Sequence, residues 1–204
     1  MGRARREPRV VDRPVAQRRR RGRFRSTFPL AARRATMSRV VKTTRGAWMS
    51  EEPFMRRAIE LATEGMEQGR GGPFGAVVVL DGRIVGEGCN RVISSLDPTA
   101  HAEIVAVRAA CAALGRFHLR GCVVYTSCEP CPMCLAALYW ARVDRIVYAN
   151  DRTDAARIGF DDAFIYEEVA LPPAERSLSL VRMPSTEATR AFEAWTKKGD
   201  RVPY

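Results

Sequence analysis

Two short stretches, "HAE" at residues 101–103 and "CEPCPMC" at residues 128–134, gather one of the chain's two histidines and three of its six cysteines. Cys131 and Cys134 stand three apart where a helical pattern begins, so their thiols face the same way. His101 opens another helical pattern, and the apolar strand-like run "CVVYT" lies between the two. A metal shared by His101, Cys131 and Cys134 would oblige two helix starts to meet at one end of a sheet. Few folds satisfy that demand.

The flanking periodicities supply such a fold. In "SEEPFMRRAIELATEGMEQG", Ser50 reads as an N-cap, and Phe54, Ala58, Leu61, Ala62 and Gly65 fall on one helical face. "FGAVVVLDGRIVGEGCN" reads as two strands joined by Asp81-Gly82, a two-residue hairpin signal. A helix from about Ala100 to Leu114, the strand "CVVYT", a helix in "CPMCLAALYWAR" and a strand in "RIVYA" complete the pattern. Alternation of this kind builds a layered α/β domain with parallel segments behind an antiparallel hairpin.

Charge divides the chain. Residues 1–46 hold 16 Lys and Arg against 2 Asp and Glu, for +14, while residues 47–204 hold 18 against 21, for −3, which together give the net +11. The first stretch has no apolar periodicity and reads as a disordered Arg-rich tail. It could be a nucleic-acid arm, a transit peptide, or residues upstream of a start at Met37 or Met49. The acidic body is a poor footprint for a phosphate backbone, so nucleic acid is not the expected partner. No run approaches the roughly 20 apolar residues of a membrane span. Cysteines clustered in this way suit metal binding in a reducing cytoplasm rather than a disulfide framework.

A structural zinc centre takes four protein ligands, and only Cys128 stands near enough to be a fourth. Two cysteines and one histidine with an open position make the ligand count of a catalytic zinc, whose bound water ionises near neutral pH. Glu103 sits two residues from His101, about 200° away on an ideal helix, so the two converge only at the helix mouth. There Glu103 is placed as the acid/base that handles the water's proton. The order H-x-E, then P-C-x-x-C, is the signature of zinc deaminases that act on nucleobases. His118, in "RFHLR", lacks such company and reads as structural.

From about Ser50 to Tyr204 the chain resembles the cytidine deaminase-like superfamily and, within it, bacterial guanine deaminases. The likeness lies in "GGPFGAVVV", "DPTAHAEIVAVRAAC", "YTSCEPCPMCLAALYWAR", "TDAARIGFDDAFIYEE" and the terminal aromatic. It implies a three-layer α/β/α fold with a mixed central sheet, and zinc-dependent hydrolysis of guanine to xanthine and ammonia. It also implies a homodimer in which the segment from about residue 153 onward is exchanged between subunits. Guanine presents acceptors at O6 and N7 and donors at N1 and the 2-amino group. The expected substrate contacts are Asn90 as donor, Asp162 as acceptor, Phe74 as stacking platform, the Ala102 backbone N–H, Trp140 as a pocket wall or dimer contact, and Tyr204 as a closing residue. Asp161 rivals Asp162, which could instead cap a helix. A tRNA adenosine deaminase, a cytosine deaminase and a non-enzymatic zinc module remain alternatives.

Overall fold

The computed structural model describes residues 40–42 and 48–203. The Arg-rich stretch through residue 39 lies outside the described residues, as does Tyr204. Among the described residues, regular structure first occurs ten residues before the expected helix, where β1 (Val40–Lys42) pairs antiparallel with β2 (Trp48–Ser50). Helix α1 (Glu52–Glu67) buries Phe54, Ala58, Leu61, Ala62 and Gly65, the face its periodicity selects. Its N-cap is Glu51 rather than Ser50, because Ser50 is still the last residue of β2. Gly69, at φ +64°, lets the chain turn away.

Strands β3 (Gly75–Leu80) and β4 (Arg83–Cys89) form the expected hairpin, with Asp81 at φ 50° and Gly82 at φ 77°, the double positive φ of a type I′ turn. A short helix α2 (Val92–Ser95) leads into α3 (Ala102–Leu114), then β5 (Cys122–Cys128), α4 (Pro132–Ala141) and β6 (Arg145–Asn150). The sheet order is β4-β3-β5-β6, with β3 antiparallel to both neighbours and β5 parallel to β6. Alternation along the strands makes two cores. Val77, Val79 and Tyr125 pack with Phe54 and Leu61 of α1. Ala76, Val78, Cys122 and Val124 pack with α3 and α4 on the other face. Helix, sheet, helix is the three-layer mixed arrangement expected.

Small residues set the distance between α3 and the sheet. Ala102, Ala106 and Ala110 recur every fourth residue, are fully buried, and lie against Gly86 and Gly88 of β4. A Cβ on Gly88 would stand 2.3 Å from the Ala102 carbonyl oxygen and 2.6 Å from the Ala106 nitrogen. The alanine-rich run is therefore a close-packing seam that fixes where α3 begins. Beyond β6 come α5 (Arg152–Arg157), α6 (Ala163–Ala170), a short 3-10 turn and α7 (Thr186–Lys197). None of residues 171–203 is buried. Among the described residues no helix is long and apolar enough to cross a membrane.

Candidate active site

His101 and Cys131 hold equivalent places. Each is the N-cap of its helix, in extended backbone at φ −66°, ψ 157° and φ −62°, ψ 167°. The 200° separation of residues i and i+2 therefore does not apply: His101 has not yet entered α3, and Glu103 is in its first turn. Pro132 opens α4, where its missing N–H costs nothing. Both helices start at the same end of the sheet, so the ligand pair and the histidine converge.

His101 Nδ1 lies 3.5 Å from both the Cys131 and the Cys134 sulfur. Tetrahedral zinc, with Zn–N of about 2.0–2.1 Å and Zn–S of about 2.3 Å, separates nitrogen from sulfur by about 3.6 Å. The three atoms lie within 4.8 Å of one another and make the one His/Cys/Asp/Glu cluster fit for a metal among the described residues. Donor set and spacing both suit zinc. The Cys131 thiol is drawn down to about 4, chiefly by its hydrogen bond with Cys134 and then by the His101 ring, while the same hydrogen bond pushes Cys134 up. Bonding to Cys131 raises His101. Cys128 is not part of the cluster: its sulfur donates to the Asp151 carbonyl at 3.6 Å, and burial pushes it up to about 11.

Glu103 is 6% exposed, and burial is the first cause of a raised pKa, with the Cys131 charge adding to it. A carboxyl so placed can hold and return a proton. It faces a cleft of about 470 Å³ that His101, Cys131, Phe74, Asn90, Asp161 and Asp162 also line. Asn90 accepts a hydrogen bond from the Val92 N–H at 3.1 Å through Oδ1, which leaves its amide donors for the cleft. Gly71 is required beside it, since a Cβ there would stand 2.1 Å from that oxygen. Phe74 meets Phe160 edge to face at 4.9 Å, and its carbonyl accepts from the Asn90 N–H at 2.9 Å.

Both aspartates line the cleft, and Asp161 Oδ1 accepts from the Ala163 N–H at 2.9 Å. Asp162 occupies the N-cap position without making a side-chain cap bond, and burial raises its pKa. Its carboxylate remains available to the cleft. Trp140 is not among the cleft's lining residues: it sits six residues beyond Cys134, about 9 Å further along α4, and is 68% exposed. Ala102 is fully buried with its carbonyl oxygen against Gly88, which leaves its backbone N–H, at a helix start, as the group that could serve the site.

Sequence reasoning missed Phe160, Glu129, Met133 and Arg152, which also line the cleft. The Arg152 guanidinium lies 5.0 Å from the Tyr166 ring centroid, and the Arg152 backbone N–H donates to the Glu129 carboxylate at 3.1 Å. Phe160 carried a signal in its place just ahead of the paired aspartates, and Glu129 and Met133 stand within the cysteine motif itself, whereas Arg152 is brought in by the turn between β6 and α5.

Residues 49–150 match the model of the cytidine and deoxycytidylate deaminase zinc-binding region. The chain is 51% identical to guanine deaminase of Bacillus subtilis over 156 residues, 76% of this chain and 100% of that protein. The solved structure of that protein superposes with a TM-score of 0.74 over 99% of its chain. A guanine deaminase structure from Nitrosomonas europaea is 34% identical, with a TM-score of 0.53 over 56% of this chain and 66% of that one. A tRNA-specific adenosine deaminase of Agrobacterium fabrum is 50% identical over 120 residues, 59% of this chain and 79% of that protein. The chain belongs to the zinc-binding deaminase family of the cytidine and deoxycytidylate deaminases.

Proposed function

We propose that the chain is a guanine deaminase, adding water to guanine and releasing xanthine and ammonia. The observation that carries this reading is its likeness to the Bacillus subtilis enzyme along that protein's whole length. His101, Cys131 and Cys134 would hold the zinc. When bound, zinc supplies a Lewis acid that lets water ionise near neutral pH. Glu103 would take a proton from the water that attacks C2 and give it to N3, then pass the proton of the new C2 hydroxyl to the amino group as the C2–N bond breaks and ammonia leaves. Asn90 donates to the O6/N7 edge and Asp162 accepts from the N–H donors, with Phe74, braced by Phe160, against the base. The Ala102 N–H is a further donor.

A homodimer is part of the proposal. Val181, Met183 and Phe192 are 86%, 90% and 78% exposed, and among the described residues none of these apolar side chains is buried. A partner subunit that receives this segment would bury it and help exclude water from the cleft. Trp140, on the exposed side of α4, belongs to this contact rather than to the pocket. The six free cysteines suit a reducing cytoplasm.

The test is ammonia release from guanine, cytosine and adenine, offered separately, and inosine formation in tRNA. The likeness to tRNA-specific adenosine deaminase favours a second reading. Turnover of guanine alone supports the first; tRNA editing without guanine turnover replaces it with the second.

A further inference from the structure

We infer that the Thr126 hydroxyl positions the Glu103 carboxylate for proton transfer, an inference that rests on the deaminase reading above. Thr126 lies on β5 in the middle of the sheet, opposite Ala76 on one side and Tyr148 on the other. Alternation along β5 sends it to the same face as Cys122 and Val124, whose neighbours on α3 and α4 are apolar. It is 1% exposed. Valine has the same shape and would suit that core, whereas a buried hydroxyl is costly unless hydrogen-bonded.

The partner is the general base. Thr126 Oγ1 lies 3.5 Å from Glu103 Oε1, to which it donates. Glu103 enters the cleft from the first turn of α3 on a long side chain, and a donor held on Oε1 limits its rotation. A hydroxyl–carboxylate contact of this length is long, and catalytic hydrogen bonds tighten when substrate fills a site. Neither adjacent polar group on β5 substitutes for it. Ser127 points to the opposite face and accepts from the Gly75 N–H at 3.0 Å, while Cys128 donates to Asp151.

The experiment compares wild type, Thr126→Val, Thr126→Ala and Thr126→Ser for kcat and KM on guanine, with zinc content and melting temperature measured on each. Loss of a hydrogen bond to a charged group predicts that T126V and T126A lower kcat by about tenfold or more, with KM changed less than about twofold. Zinc content should hold, and T126S should recover kcat to within about threefold. Because the hydroxyl acts through Glu103, T126V added to Glu103→Gln should lower the residual rate no further. Wild-type kcat in T126V or T126A overturns the inference, as does a loss of kcat that T126S shares. Failure of the wild-type enzyme to release ammonia from guanine instead removes the reading on which the inference stands.

Discussion

Gly88→Ala tests whether the packing of α3 against the sheet sets the geometry of the site. Ordinary van der Waals contact begins at 3.4 Å, and the new Cβ would stand 2.3 Å from the Ala102 carbonyl oxygen, about 1 Å too close. The obstructing atoms belong to helix backbone, which cannot rotate away as a side chain could. Helix α3 must therefore lift at its first turn, the turn that follows His101 and contains Glu103. Overpacking of this kind costs about 1–3 kcal/mol of stability. A 1 Å misplacement of catalytic groups lowers turnover by about 10²-fold. Urea unfolding, zinc content and initial rates of ammonia release measure the three effects. Gly199→Ala, where an added Cβ meets nothing within 4 Å, is the control. A Gly88→Ala protein with wild-type midpoint, metal content and rate would refute the claim that this seam places the site.

Glu103→Gln is expected to keep its zinc and to lose about 10²–10⁴-fold in kcat, read by single-turnover kinetics beside metal analysis; a wild-type rate in that variant would remove Glu103 from the chemistry. Asp162→Asn should lower kcat/KM for guanine by at least about tenfold through loss of a charged acceptor. Asp161→Asn should lower turnover less than Asp162→Asn and cost at most about 1 kcal/mol in a urea titration, because an amide oxygen can still accept from the Ala163 N–H. Zinc retention should fall as pH falls, because His101, Cys131 and Cys134 must shed protons to bind and recover them in acid; dialysis against a chelator from pH 8 to pH 5, with added zinc restoring activity, checks the direction.

The meeting of His101, Cys131 and Cys134 with Glu103 in one cleft was legible because each requirement is local: a histidine and a cysteine at helix starts, a second thiol one turn on, and a carboxyl two residues from the histidine. The hairpin and the buried face of α1 were legible for the same reason, through Asp81-Gly82 and the spacing from Phe54 to Gly65. The sequence could not separate Asp161 from Asp162, since adjacent residues of one type differ only in which oxygen meets the Ala163 N–H. The resemblance left Trp140 as either a pocket wall or a dimer contact, and its distance along α4 from Cys134 sets it apart from the cleft's lining. Arg152 and Glu129 were missed because their meeting depends on the turn after β6. Thr126 was invisible as anything but a strand residue until its hydroxyl was found beside Glu103.

Zinc K-edge absorption on the purified enzyme asks the central question directly. The account predicts two sulfurs at about 2.3 Å and two lighter ligands at about 2.0–2.1 Å, one from His101 and one from solvent, and the same spectrum for Cys128→Ser. A third sulfur in the shell, lost on replacing Cys128, would make the centre a closed structural site and contradict the account.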